Sequence, residues 1–255
     1  MGTCSLCGNE RKLIEAHLIP KCMYDLDGKL PLKIVGLFGT SFPKRSQNGI
    51  YDAGILCAEC DNRIGVWDQH ACVSLRAETR GLEVASATDG LAVDEDGKVL
   101  CYVVGNADPE LISKFALSVL WRCHHSSRDE ARVVNLGPHA DRIAKIILDD
   151  TSTEHHDYSV WLEYHSDFPL VMWVGRWKIE GNVTINTFMA QNFSFHMKTD
   201  KKADPDPFHL LRMKQGRPVY AMSIDKKNSN FGRQVISGLR SSWKKHGDPW
   251  KGLRN

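Results

Sequence analysis

The sequence predicts an α+β fold in which a cysteine-rich N-terminal module precedes a region of helices and an antiparallel sheet. Three features support this prediction. Two Cys-x-x-Cys pairs lie near the N-terminus, and an apolar stripe with helical spacing follows Asp108-Pro109. Runs rich in β-branched and aromatic residues then fill much of residues 158–197. We therefore expect two domains, residues 1–80 and residues 81–255.

The two cysteine pairs form the first element. Their four thiolates can surround one tetrahedral Zn²⁺, because each short Cys-x-x-Cys step wraps one side of the ion. Residues 8–56 separate the pairs, which is more than the roughly 15–20 residues typical of a compact zinc ribbon, so we expect an insertion at residues 21–50. The predicted ligands of this structural zinc are Cys4, Cys7, Cys57 and Cys60.

A histidine motif, His17-Leu18-Ile19-Pro20, lies between the pairs, and Leu56-Cys57 precedes a predicted helix. This order of a CxxCG, a strand ending in His-Leu-Ile-Pro, and a Leu-Cys-x-x-Cys at a helix start resembles the zinc-containing HNH endonucleases. The resemblance covers roughly residues 1–70. It implies a ββα-metal motif that the four cysteines clamp.

The resemblance also implies roles for three residues. His17 stands at the position of the general base that activates water. Asp52 stands at the position of the family's middle Asn, as an orienting or ligating partner. Asp61 stands at the position of the last His or Asn, which ligates the catalytic metal, and carboxylate oxygen suits Mg²⁺ or Mn²⁺.

One position departs from the family pattern. Ala16 stands where the family usually has Asp or His as a second metal ligand. Glu15 would point to the opposite face of a regular strand from Ala16. Asp68 lies seven residues beyond Asp61, on the same helical stripe, and is another candidate ligand. Two alternatives stay open: a rearranged metal site, or a nuclease fold retained only for binding.

The net charge of +2 is nearly neutral, so nucleic-acid binding would need a local basic patch rather than a global field. One candidate patch is Lys44 and Arg45, in a predicted exposed loop. The other is a basic tail at residues 226–255, which includes Arg240, Lys244 and Lys245. A solvated loop and a solvated tail are the competing interpretations. No run reaches eighteen apolar residues, so we expect no helix that spans a membrane.

Four further cysteines lie in mostly apolar contexts and are predicted to be buried free thiols. They are Cys22, Cys72, Cys101 and Cys123. The start Met1-Gly2-Thr3-Cys4 leads directly into the first cysteine pair, which leaves no room for a signal peptide. From these features we expect a reducing compartment, the cytoplasm.

The later elements follow from periodicity and turn residues. We expect helices from Asp61, from Asp108-Pro109 and over 138–148, a strand at 32–38 in the insertion, and a hairpin at 85–104. Four predicted strands form an antiparallel sheet of three or four strands, with a tight turn at Gly181-Asn182; they span 158–164, 170–179, 182–188 and 192–197. The tryptophans of this sheet are expected to fill a core rather than to stack on bases.

Two functions are consistent with the sequence. The first is a metal-dependent endonuclease with a structural Zn²⁺ and a catalytic Mg²⁺ or Mn²⁺, which cuts nucleic acid, DNA rather than RNA; the resemblance implies a setting in bacterial antiviral defence or mobile elements. The second is a catalytically inactive zinc-ribbon module that binds nucleic acid or a partner protein. Ala16 favours the second, whereas His17 together with Asp52 and Asp61 favours the first. A homodimer and a partner protein both stay open.

Overall fold

The computed structural model describes residues 1–24, 32–36, 44–46, 49–76, 81–86, 99–155, 158–165, 171–204 and 208–224. Within these ranges the chain has a mixed α+β fold. The helices are α1 (Ala58–Leu75), α2 (Pro109–His125), α3 (His139–Asp149) and α4 (Phe208–Leu211). The strands are β1 (Gly2–Thr3), β2 (Glu10–Arg11), β3 (Ala16–His17), β4 (Leu32–Gly36), β5 (Lys44–Ser46), β6 (Tyr51–Asp52), β7 (Leu82–Val84), β8 (Cys101–Val104), β9 (Val160–Tyr164), β10 (Val171–Ile179), β11 (Val183–Ala190), β12 (Phe193–Lys198) and β13 (Val219–Ser223).

The N-terminal module is built from short antiparallel strand pairs and one helix. β1 pairs with β2, β3 pairs with β6, and α1 begins six residues after β6. The backbone of Cys57 is extended at the N-cap of α1, so the second cysteine pair lies at the start of this helix. The helix begins at Ala58, three residues earlier than predicted, which places Asp61 in its first turn, where the helix dipole favours a negative charge.

The central element is α2, whose start is as predicted. Pro109 occupies the first turn, and the Asp108 side chain caps the helix by accepting a hydrogen bond from the Leu111 N–H at 3.0 Å. Every residue from Ile112 to Cys123 is buried. A helix buried on all sides lies between two layers, and here those layers are α1 and the large sheet.

Among the described residues, nine strands form the large sheet, in the order β5-β4-β10-β11-β12-β9-β13-β8-β7. The four predicted strands are its antiparallel centre, β10-β11-β12-β9. Gly181 and Asn182 have positive φ in the turn between β10 and β11, as their sequence predicts. The expected size of three or four strands was wrong, because β4 adds to β10 and β13 adds to β9 in parallel pairings that no local pattern reveals.

Three other segments differ from their sequence prediction, or are described only in part or not at all. Lys44 and Arg45 were expected in an exposed loop, but the structure places them in β5, because they pair with Lys33 and Ile34 of β4. The predicted hairpin at 85–104 is described only in part: its second strand, β8, pairs with β7 and β13. The basic tail, with Arg240, Lys244 and Lys245, lies outside the described residues.

Buried apolar side chains from the N-terminal module and from the large sheet join in one core. Phe115 of α2 contacts the rings of Phe188 and Phe195, at centroid distances of 6.1 and 5.5 Å. The same cluster includes Leu18 and Ile64 of the N-terminal module. The predicted boundary at residue 80 stays a prediction. Among the described residues, no helix is long and apolar enough to cross a membrane.

The free-thiol prediction was right for two of the four further cysteines and wrong for the other two. Cys101 and Cys123 are buried and free. Cys22 and Cys72 form a disulfide, with their Cα atoms 5.9 Å apart. The sequence does not reveal this pair, because its members are 50 positions apart and only the tertiary fold brings the turn at Lys21–Met23 to Cys72 of α1.

Candidate functional site

The two predicted cysteine pairs converge into one cluster. The sulfur atoms of Cys4, Cys7, Cys57 and Cys60 all lie within 4.8 Å of one another. A tetrahedral zinc site with Zn–S bonds of about 2.3 Å requires sulfur–sulfur distances of roughly 3.8 Å. The donor set and its spacing therefore fit a Zn²⁺ ion, and four protein ligands would make the site a closed, structural one.

The surroundings of the cluster shift the pKa values of two of its thiols in opposite directions. Burial raises the pKa of Cys4, but hydrogen bonds from the backbone of Cys7, Cys57 and Leu6 outweigh burial and lower the pKa to about 7. Burial raises the pKa of Cys60 well above its ordinary value, and the other three cysteines add to the rise. Four thiolates at this spacing repel one another, so a divalent cation is what would allow all of them to ionise.

His17 lies on β3 beside a tyrosine of the neighbouring strand. It pairs with Tyr51 of β6, and the two rings meet edge to face with centroids 6.3 Å apart. Ala16 pairs with Asp52. Because directly paired residues share one side of a sheet, Asp52 lies on the buried side with Ala16, and half-buried His17 lies on the other side with Tyr51.

Asp52 holds the end of α2 against β6. One carboxylate oxygen accepts from the Gly54 N–H at 2.8 Å, and the other accepts from the Ser126 hydroxyl and from the N–H and hydroxyl of Ser127, at 2.8–3.0 Å. Burial raises the pKa of Asp52, but these hydrogen bonds outweigh burial and hold the pKa below its ordinary value. Four protein donors occupy the carboxylate, which favours the orienting role over the ligating one.

Asp61 and Asp68 share a stripe of α1 but have different partners. Asp68 accepts two hydrogen bonds from Arg122 of α2, both 2.8 Å long, so both of its oxygens are engaged. The Asp61 carboxylate has no hydrogen-bond or ion-pair partner among the residues that the structure describes. Burial raises the pKa of Asp61, Arg122 and His17 lower it, and Asp68 raises it. Of the two candidate metal ligands, Asp61 is therefore the one that is available to a cation.

The sequence interpretation missed Arg122, which links three elements. Its side chain is 1% exposed, and its guanidinium binds Asp68 and donates to the backbone carbonyl of His17 at 2.9 Å. A signal for it was present. Arg122 lies seven residues after Phe115 on the buried stripe of a predicted helix, and a charged residue on a buried stripe requires a partner.

The structure thus brings together the four cysteines, and separately His17, Asp61 and Asp68 around Arg122. Asp52 lies next to this second group on the opposite side of the strand pair. Glu15 is exposed, and Ala16 is buried without any ligand atom. The side chains of Lys44 and Arg45 lie outside the described part of the chain, so the predicted basic patches stay predictions.

Comparisons with protein-family models, with curated proteins and with solved structures found no match to this chain. The functional interpretation therefore depends on the geometry of the site.

Proposed function

We propose that this protein is a metal-dependent HNH-type endonuclease that hydrolyses phosphodiester bonds of nucleic acid, DNA in preference to RNA. One observation carries the proposal. The pair β3–β6 and helix α1, clamped by a four-cysteine cluster, bring the His17 imidazole within electrostatic range of the Asp61 carboxylate. A zinc ribbon that serves only for binding would not need an imidazole at His17 and, at Asp61, a carboxylate that no described residue engages.

His17 would act as the general base. Its backbone is held on both sides, by the pairing with Tyr51 and by the hydrogen bond from Arg122 to its carbonyl oxygen. In the proposed reaction the neutral imidazole takes a proton from water while the water oxygen bonds to phosphorus. The bond from phosphorus to the leaving sugar oxygen breaks, and that oxygen is protonated from solvent.

Asp61 would hold the catalytic cation. Mg²⁺ and Mn²⁺ are commonly held in proteins by one or two carboxylates, with water and substrate phosphate oxygens as the other ligands. The single available carboxylate of Asp61 is consistent with this mode of binding. When bound, the cation would stabilise the negative charge that builds on the phosphate and on the leaving oxygen. Ala16 supplies no second ligand, and Arg122 engages Asp68, so the protein would contribute few ligands of its own.

The test is the cleavage of supercoiled plasmid by the purified protein with Mg²⁺ or Mn²⁺. We expect nicking that stops when EDTA is added and that falls by about 10²–10⁴-fold in His17→Ala, the range for loss of a general base. His209→Ala, which removes an exposed imidazole from α4, is the matched control and should keep full activity. Cleavage by His17→Ala at the wild-type rate would refute the assignment of the base.

The second candidate, an inactive zinc module that binds nucleic acid or a partner protein, is favoured by Ala16 and by the pairing of Asp68 with Arg122. It makes a different prediction for the same samples. Wild type and His17→Ala would then retard plasmid equally on a gel, and neither would cut it with either metal. A labelled RNA of similar length, tested in parallel, separates the two substrate classes.

A further inference from the structure

An exposed arginine lies within about 12 Å of the proposed base and is held in place at one end. The Nε–H of Arg128 donates to the backbone carbonyl of Tyr51 at 2.8 Å, and its guanidinium carbon lies 5.3 Å from the centre of the Tyr51 ring. Among the described residues, the two terminal NH₂ groups of Arg128 have no hydrogen-bond or ion-pair partner. The side chain is therefore fixed at its Nε–H, and its two terminal NH₂ groups face solvent.

The backbone that carries Arg128 is also held. Asp52 binds Ser126 and Ser127, and the Arg128 N–H donates to the Ser126 hydroxyl at 3.1 Å. Both anchors, Asp52 for the backbone and Tyr51 for the guanidinium, belong to β6. Much of the entropy that a free arginine loses on binding is therefore already lost in the folded protein.

Tyr51 places this guanidinium close to the proposed base. The ring that supports Arg128 is the ring that meets His17 edge to face, so Arg128 and His17 cannot be more than about 12 Å apart. A nucleic-acid strand advances about 3.4 Å along its axis for each phosphate. A strand whose scissile phosphate lies at His17 and that runs toward Arg128 would thus place another phosphate, within about three nucleotides, near Arg128.

The charge of Arg128 is not neutralised by its neighbours. The adjacent acid, Asp129, pairs with Arg132 at 3.0 Å, and the Asp52 carboxylate is buried and occupied by other donors. A planar guanidinium with two free NH₂ groups matches the oxygens of a phosphate. Tyr51 adds an apolar support that keeps the cation beside the strand rather than in bulk solvent.

We infer that Arg128, held on Tyr51, is a binding site for a backbone phosphate of nucleic acid within about three nucleotides of the scissile phosphate. This inference rests on the proposed nuclease function. The proposed contact is with the phosphate backbone, so the contribution of Arg128 to binding should be independent of base sequence. In this proposal Asp52 has a positioning role, because it holds the segment that carries Arg128.

The experiment measures binding without cleavage. The full chain with His17→Ala is titrated onto a fluorescent 20-base-pair duplex in Mg²⁺, at salt concentrations from 50 to 200 mM. Adding Arg128→Ala is expected to weaken binding by about 10-fold at the lowest salt and to reduce the slope of log K against log salt by about 0.9, the value for one lost phosphate contact. A duplex of shuffled sequence should show the same two changes.

Two variants act as controls in the same background. Arg132→Ala removes an equal charge four residues away, from an arginine that is already paired, and should leave the salt slope unchanged. Arg128→Lys should restore most of the slope but not the full affinity, because it keeps the charge and loses the bond to Tyr51.

Two outcomes would overturn the inference: equal salt slopes for Arg128→Ala and Arg132→Ala, or no measurable duplex binding by the parent at 50 mM salt. Cleavage, measured separately with His17 intact, tests the proposed function. A protein that cuts but shows no effect of Arg128→Ala refutes the phosphate site alone. A protein whose binding depends on Arg128 but that never cuts refutes the nuclease and supports binding of a phosphate backbone by Arg128.

Discussion

At the scale of single residues, the stability of the cysteine cluster depends on the charge of its thiolates more than on packing. Its four sulfurs lie within 4.8 Å of one another, and backbone N–H groups already bring the pKa of Cys4 to about 7. Cys57 has two functions here, since its sulfur is a predicted ligand and its N–H donates to the Cys4 sulfur at 3.4 Å. A cation at the centre would remove the repulsion that four thiolates otherwise create.

Cys57→Ser is therefore expected to release the metal and to unfold the N-terminal module, because a structural zinc supplies about 10 kcal/mol or more of folding free energy. Zinc content by plasma mass spectrometry and a thermal melt give the two readouts. Cys101→Ala is the control, since Cys101 is buried, free and outside the cluster. One zinc per chain retained in Cys57→Ser, with an unchanged melt, would show that these cysteines hold no structural metal.

At the scale of elements, the end of α2 fixes the two strands of the candidate site. Arg122 binds α1 through Asp68 and β3 through the His17 carbonyl. Asp52 binds β6 to Ser126 and Ser127, which follow α2. These short strands, two residues each, have little pairing of their own, so the contacts with α2 must supply much of their order.

Asp52→Ala should lower the free energy of unfolding by about 2–4 kcal/mol at pH 7, because it leaves buried donors without their charged acceptor. The folded-state pKa of Asp52 is lowered, so its stabilising contribution is complete above the unfolded pKa near 4 and is lost as the pH falls through the folded value. Urea denaturation at pH 7 and at pH 3 measures the difference. Asp149→Ala, at an exposed acid, is the control. An equal loss for Asp52→Ala at both pH values would show that its charge is not what stabilises the fold.

The sequence predicted local features of these elements well and their long-range partners poorly. The start of α2, with its Asp108 cap, and the turn at Gly181-Asn182 follow from residues next to one another, and both are confirmed. The pairing of Arg122 with Asp68 joins residues 54 apart, and the addition of β4 to β10 joins residues still further apart. Such contacts depend on how complete elements pack, which no short window of sequence contains.

At the scale of the whole molecule, the N-terminal module shares a core with the rest of the chain, and a disulfide cross-links the module internally. Leu18 and Ile64 belong to the same buried cluster as Phe188 of the large sheet. The disulfide joins Cys22, just after the His17 motif, to Cys72 on α1. The side-chain amide of Gln191 donates to the Cys22 carbonyl at 2.9 Å, which connects this cross-link to the turn between β11 and β12.

The double variant Cys22→Ser/Cys72→Ser should therefore lose about 2–4 kcal/mol of unfolding free energy. A bond that closes a loop of 50 residues restricts the unfolded chain by roughly that amount. Urea denaturation without reductant measures the loss. The control is the wild type in a reductant that does not bind zinc, which should fall to the stability of the double variant, whereas the double variant itself should not respond to reductant.

A count of reactive thiols tests whether Cys22 and Cys72 form a disulfide. With the protein unfolded and its zinc removed by a chelator, six of the eight cysteines should react before reduction and all eight after it. Eight reactive thiols in the untreated protein would contradict the disulfide, and the predicted stability difference would disappear with it. Because the two cysteines flank the segment that carries Asp52 and Asp61, loss of the cross-link should also increase protease sensitivity between β3 and α1 before it affects the large sheet.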